Sequence, residues 1–158
     1  MSDPSIRRAQ HDDAARLGEI FVASRNAALP FLTETHNADD MKAWIAHVLV
    51  PGGSTWVACH HRNILGFMTL AGDVVDHLYL DPVETGRGIG SRLIAFAKTQ
   101  SPQRLTLFCF AENHAARRFY TAHDFKPIAF RDGSSNEEGA PDIEYQWRSK
   151  TCNRARPR

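Results

Sequence analysis

A run of β-forming residues, Val74 to Leu80, passes through a turn in which glycines alternate with other residues, Thr85-Gly86-Arg87-Gly88-Ile89-Gly90. The turn opens directly into a helix-patterned segment, Gly88 to Gln100. Ile89, Leu93, Phe96 and Ala97 make one apolar stripe of that helix, and a further β-rich run, Leu105 to Phe110, follows it. The result is a strand, helix, strand unit with a glycine turn at its first corner. Gly86, Gly88 and Gly90 carry no side chains, so backbone amides of the turn can approach an anion closely. The unpaired amides and the dipole of the first helical turn point the same way. A diphosphate suits such a turn. A Walker loop does not fit, because Lys and Ser/Thr are missing from the required places. A Rossmann fingerprint does not fit either, since the spacing is G-x-G-x-G and it lies late in the chain.

The rest of the chain supplies the layers around this unit. Ser5 to Arg8 reads as a short strand, and Asp12 and Asp13 can cap a helix with Leu17, Ile20 and Phe21 on one face, ended by Ala27-Ala-Leu-Pro30. Ala38 to Val50 places Met41, Trp44, Ile45 and Val48 at helical spacing before Pro51-Gly-Gly53 breaks the pattern. Thr55 to His60, Ile64 to Ala71 and Val74 to Leu80 predict three antiparallel strands. Asn113 to His123 is helical with Ala116, Phe119 and Tyr120 on one side, and strands Lys126 to Phe130 and Ile143 to Trp147 flank the loop Arg131 to Pro141. The predicted order is βααβββαβαββ.

Composition narrows the function classes. A net charge of +1 gives no global attraction to nucleic acid or membrane, and neither is expected as a partner. Cys59, Cys109 and Cys152 form no paired C-x-x-C arrangement, which points to a reducing compartment and away from a disulfide scaffold. Met1 to Ala9 lacks an apolar core of signal-peptide length, so a soluble, cytoplasmic protein is expected. The expected organisation is one domain over residues 1–147 and a basic, disordered tail over 148–158, with five basic residues and no acidic ones.

The glycine segment resembles motif A of the GNAT family of N-acetyltransferases, [QR]-x-x-G-x-[GA], and Asn113-His-Ala-Ala-Arg-Arg-Phe-Tyr120 with Asp124-Phe125 resembles the family's second signature, N-x-x-A-x-x-F-Y ending in G-F. The resemblance runs from about Ile6 to Trp147 and includes the element order. It implies a mixed α+β fold with a central, mainly antiparallel sheet in which a splayed parallel strand pair binds coenzyme A. It also implies acetyl-CoA as cosubstrate, and direct attack by a primary amine in a ternary complex. Two positions depart from the family pattern: Thr85 stands where Gln or Arg is usual, though its backbone amide can still donate to phosphate. Asp124 stands where Gly is usual, at a site suited to a left-handed C-cap.

By the same resemblance, the cofactor is held by the strand edge Leu78, Tyr79 and Leu80, by the turn Thr85, Gly86, Arg87, Gly88, Ile89, Gly90 and Ser91, and by Asn113 and Arg117. The amide of Leu78 is the donor to the thioester carbonyl. Tyr120 matches the general acid that protonates the leaving thiolate. Asn113 also reads as a helix N-cap, and Arg117 and Arg118 also read as solvated surface arginines. The acidic candidate for general base is Asp76, ranked above His77. Strict alternation groups Asp76 with Val74, Leu78 and Leu80, and His77 with Val75 and Tyr79, although a β-bulge there swaps the faces. Cys109 reads as a packed thiol. His60 and His61, adjacent on a strand, point to opposite faces, and no metal is assigned.

The acceptor is not written in these motifs. The loops Leu29 to Asn37 and Arg131 to Pro141 would wall its site, and Glu34, Glu137, Glu138 and Asp142 make them acidic, which favours a cationic small-molecule or peptide amine. A homodimer is left open. The rival reading is a non-catalytic acyl-CoA sensor, which needs the glycine turn but not Tyr120.

Overall fold

The computed structural model describes residues 3–32 and 37–150. The elements are β1 (Ser5–Arg8), α1 (Ala14–Ala28), α2 (Ala38–Trp44), β2 (Thr55–His60), β3 (Asn63–Ala71), β4 (Val74–Leu80), α3 (Ile89–Gln100), β5 (Arg104–Phe110), α4 (His114–Ala122), β6 (Lys126–Arg131) and β7 (Asp142–Arg148). This is the predicted order. The seven strands form one sheet in the order β1-β2-β3-β4-β5-β7-β6, and every neighbouring pair is antiparallel except β4 and β5.

Strand alternation divides the core into two layers. Val57, Phe67 and Tyr79 are cross-strand partners on one face, where they meet Leu17, Ile20 and Phe21 of α1. Trp56, Met68 and Leu78 are partners on the other face, where Leu93, Ile94 and Ala97 of α3 cover them. Fully burying a side chain such as Phe67 stabilises the fold by roughly 2–3 kcal/mol, so these two ladders clamp the middle of the sheet from both sides.

The first helix begins directly after its acidic pair, with Asp13 at the N-cap position, but the Asp13 side chain serves the preceding turn and not the helix amides. His11–Asp13 is a 3-10 turn, in which the Asp13 carboxylate accepts from the Gln10 amide at 2.7 Å and from Arg7 at 2.7 Å. That ion pair ties the start of α1 to β1. The single helix expected over Ala38 to Val50 is α2 followed by a π-helical turn, Ile45–Leu49. Asn37 caps α2 by accepting the Asp40 amide at 2.7 Å. Residues 33–36, with Glu34, and residues 151–158, the larger part of the basic tail with Cys152, lie outside the described residues. Among the described residues no helix is long and apolar enough to cross a membrane.

Candidate active site

The parallel strands β4 and β5 are paired only where they begin. Val74 sits opposite Thr106, whose amide donates to the Asp73 carbonyl at 2.9 Å, and beyond this point the two strands part. The reason lies in β4. His77 pairs with Thr69 and Val75 with Leu70, so Asp76 is an extra residue, a β-bulge that bends the strand away from its neighbour. Past the bulge the Asp81 amide donates to Leu65 of β3 at 2.9 Å. Counting back by two, the Tyr79 amide also faces β3, and the amides of Leu78 and Leu80 face the gap toward β5. The gap therefore has a strand edge with free donors.

The bulge also decides which side chains share a face. Val75 packs with Leu78 and Leu80 in the core under α3, while His77 and Tyr79 turn toward α1 and α2. The strict alternation that groups His77 with Val75 is thus corrected by the inserted residue. Asp76 itself sits on the bulge with its side chain 57% exposed, against 20% for His77.

The strand runs into a turn held by its own side chains. Asp81 accepts from the Val83 amide at 3.2 Å and from Arg16 of α1, which also donates to the Ile64 carbonyl at 3.2 Å. The Arg16 guanidinium holds the Asp81 carboxyl below the ordinary aspartate range. The Thr85 hydroxyl donates to the Pro82 carbonyl at 2.9 Å, and its amide reaches the same oxygen at 3.5 Å, so both groups serve the turn. Gly86 and Gly88 lie in the left-handed region, at φ 80° and 83°, and a Cβ on either would point into open space. Gly88 precedes α3 without any side-chain cap, and the first helical bond is Arg92 N–H to the Gly88 carbonyl at 3.1 Å. The amides of Ile89, Gly90 and Ser91 therefore have no partner within the helix and lie at its positive end. This cradle fits a diphosphate, with Arg87, 70% exposed and 3.3 Å from Glu84, at its rim.

Not every residue of the segment faces the cradle. The Ile89 side chain is in the core, and a Cβ on Gly90 would come within 3.1 Å of Phe119 Cζ, so Gly90 is small for the approach of α4 to α3. The Ser91 hydroxyl is 2.9 Å from Nε2 of His123. Asn113 caps α4 by accepting the Ala116 amide at 3.2 Å. Arg117 is turned inward, donating to the Tyr145 hydroxyl and to the Ala111 carbonyl, both at 3.2 Å, whereas Arg118 is exposed.

Tyr120 is positioned by the end of its helix. The Phe125 amide donates to the Tyr120 carbonyl at 3.0 Å and the Asp124 amide to the Thr121 carbonyl at 3.2 Å, which is a Schellman motif with Asp124 at φ 68°. The left-handed C-cap expected at Asp124 is present. The Tyr120 ring is wedged among Phe119, Phe125 and Tyr145, at 5.2, 5.7 and 6.2 Å between centroids. Burial, with smaller contributions from Cys109 and Tyr79, pushes its hydroxyl above the ordinary tyrosine range. It holds its proton at neutral pH. Burial also pushes the Cys109 thiol up to about 11, which makes it a packed thiol and a poor nucleophile.

On the opposite face of β4 a cavity of about 740 Å³ opens between α1, α2 and the loop after β6. Phe21, Trp44, Met41 and Tyr79 supply its apolar walls, and Arg25, His77, Asp40, Glu137 and Glu138 its polar groups. Tyr79, grouped with the cofactor edge in the sequence, directs its ring here, 4.8 Å from Phe21. Nδ1 of His77 is buried without a hydrogen-bond partner, 3.7 Å from Asp76, and Trp44 lies 5.5 Å from its ring. Burial lowers the His77 pKa below the ordinary value, Asp76 opposes this, and Arg25 adds to it. Arg25 and Trp44, which line this cavity, were not singled out as site candidates in the sequence. A signal for Arg25 was present: it continues the Leu17, Phe21 spacing of the buried face of α1 by one more step of four.

Comparisons with known proteins agree with this architecture. A family model described as Acetyltransferase (GNAT) family matches residues 19–125. A peptidyl-lysine N-acetyltransferase, YjaB, of Salmonella typhimurium is 33% identical over 123 residues, which cover 77% of this chain and 83% of that protein. The solution structure of apo YjaB from Escherichia coli superposes with a TM-score of 0.80 at 27% identity, covering 94% of this chain and 99% of that one. At 20% identity, yncA of Salmonella typhimurium, solved with its cofactor acetyl-CoA, shares the fold with a TM-score of 0.67 over 99% of both chains.

Proposed function

The chain belongs to the GNAT family of N-acetyltransferases and uses acetyl-CoA as cosubstrate; on that premise we propose that its acceptor is a lysine ε-amine presented on a peptide or protein. The observation that carries this reading is the cavity on the far side of β4, with an apolar aromatic shaft, an acidic mouth and a histidine nitrogen without a partner in its wall. The shaft suits the four-carbon stem of lysine, and Asp40 and Glu137, both exposed, attract its ammonium. The names of the curated relatives point to the same substrate class.

The geometry supports the following roles. The glycine turn and the first amides of α3 receive the diphosphate, and the free edge at Leu78 and Leu80 pairs with the pantetheine arm. The acetyl group then lies in the gap between β4 and β5, with the amide of Leu78 as donor to the thioester oxygen. His77 takes a proton from the ammonium so that the neutral nitrogen can attack the carbonyl carbon. As the carbon–sulfur bond breaks, the sulfur takes a proton from Tyr120, and the new amide nitrogen gives its second proton through water to the Tyr120 oxygen, which restores the acid, while His77 returns its proton to solvent. The base role goes to His77 in preference to Asp76, which stands on the bulge and acts on His77 from 3.7 Å.

The test is incubation of the protein and acetyl-CoA with lysine peptides and with a panel of small amines, reading free thiol and acetyl-lysine by mass spectrometry. Peptide acetylation with coupled thiol release is expected. Turnover confined to small amines would overturn the peptide acceptor. Acetyl-CoA binding without turnover on any amine would favour the sensor reading.

A further inference from the structure

The acceptor cavity carries its charges in a definite order. Asp40 and Glu137 are exposed at its mouth, whereas Arg25 and Glu138 are side chains of 25% and 19% exposure further in. Arg25 belongs to the last turn of α1. Its guanidinium lies 5.4 Å from the Phe21 ring centre and 3.6 Å from Glu138, and it borders the buried hydroxyl of Tyr79. Among the described residues lining the cavity Arg25 is the one lysine or arginine, and it lines the same cavity as His77. Such a placement is costly for binding an ammonium and useful for deprotonating one.

We propose that Arg25 is a positioning residue that keeps His77 and the incoming amine in their uncharged forms, so that the cavity has an acidic mouth to collect cations and a basic floor to deprotonate them. This rests on the reading of the cavity as the acceptor site. The chemistry explains why such a floor matters. An amine of lysine type is neutral in only roughly one molecule in a thousand at neutral pH, and each pH unit by which a neighbouring cation lowers its titration multiplies the attacking fraction about tenfold. Other cation-binding pockets enclose their ligand in carboxylates; here the innermost carboxylate, Glu138, is already turned to Arg25.

The groups that face His77 can be named element by element. From α1 there is Arg25; from α2, the Trp44 ring at 5.5 Å and Asp40 at the mouth. From β4 itself there are Asp76 at 3.7 Å and the Tyr79 ring at 6.2 Å, and from the loop after β6, Glu137 and Glu138. Burial favours the neutral ring most, Asp76 favours the imidazolium, and Arg25 adds to the effect of burial as the smallest of the three. Glu138 moderates Arg25 through their ion pair. Removing the cation and removing its carboxylate partner must therefore act in opposite directions.

The experiment compares Arg25→Gln, Arg25→Lys and Glu138→Gln with the parent protein in two measurements. One is the titration of His77 by nuclear magnetic resonance in the free protein. The other is the acidic limb of kcat/KM with a lysine peptide at saturating acetyl-CoA. Arg25→Gln should raise both midpoints by about 0.5–1 pH unit, read below the limb as a loss of about threefold to tenfold. Arg25→Lys should restore them, and Glu138→Gln should lower them. If Arg25→Gln changes melting temperature or peptide KM but leaves the His77 titration and the limb in place, Arg25 is structural and the proposal falls. A parent protein that acetylates no amine, with His77 still shifting in Arg25→Gln, would sink the acceptor reading and leave the electrostatic role of Arg25 standing.

Discussion

The two faces of β4 are built from different materials. Toward β5 and α3 the site consists of backbone: free strand amides at Leu78 and Leu80, two glycines at positive φ, and the open end of a helix. Toward α1 and α2 it consists of side chains drawn from four segments, with Phe21, Trp44, His77 and Glu138 as examples. A backbone site recognises what every reaction of the family shares, the diphosphate and the pantetheine amides, and it depends on few residue identities. A side-chain site can be rewritten one residue at a time. The donor half should therefore break only when the chain path or the space near it is altered, and the acceptor half should respond in graded fashion to ordinary substitutions.

The sharpest break is Gly88→Glu. Its Cβ enters open space, but at φ 83° a non-glycine residue costs about 1–2 kcal/mol, and a carboxylate about 5 Å from a phosphate costs roughly 3 kcal/mol more. Acetyl-CoA affinity by calorimetry should fall by about 100-fold or more, while the melting temperature drops by only roughly 2–8 °C. Unaltered affinity would remove the turn from the site. His77→Gln tests the other face: kcat/KM for a lysine peptide should fall by about 100-fold at neutral pH with acetyl-CoA affinity unchanged, and the acidic limb should flatten. Asp76→Asn should cost less than about threefold, and because the carboxylate favours the imidazolium, its loss should move the limb to lower pH. A larger defect in Asp76→Asn than in His77→Gln would reverse the assignment of the base.

Tyr120→Phe keeps a ring wedged among three aromatic neighbours and deletes one hydroxyl. Turnover should fall by about tenfold at equal acetyl-CoA affinity, at the low end for an acid because a thiolate is a fair leaving group. Superimposable pH profiles for parent and variant would make Tyr120 structural. Asp40→Asn and Glu137→Gln should each raise the KM of a cationic peptide by about twofold to threefold, an effect that fades as salt is raised. The smallest effect belongs to Asp124→Gly: relief of the left-handed backbone at φ 68° should raise the melting temperature by roughly 1–4 °C and leave kinetics alone.

Legibility in the sequence followed the same division. Turn chemistry is local, so the glycine turn, the Asn113 cap and the left-handed position at Asp124 could all be read from neighbouring residues, and each is present. Local reading did not show the structural uses of the same residues. The Thr85 amide reaches the Pro82 carbonyl within its own turn, whereas Gly90 is small for Phe119 and Arg117 braces Tyr145, two uses that depend on partners far along the chain. The cavity proposed for the acceptor was signalled only by its acidic loops, since Arg25 and Trp44 come to line it through packing against β4.

The sequence by itself determined the order of elements, the apolar faces of the helices and the glycine turn before α3, because periodicity, capping and glycine spacing act over a few residues and need no distant partner. The tertiary structure alone decided where β4 leaves β5 and that Val75, parted from His77, joins Leu78 and Leu80 under α3. Both follow from the one-residue bulge at Asp76, and a bulge is a mismatch of register between two strands: it exists only when β3 has been laid beside β4, and no pattern within either strand contains it.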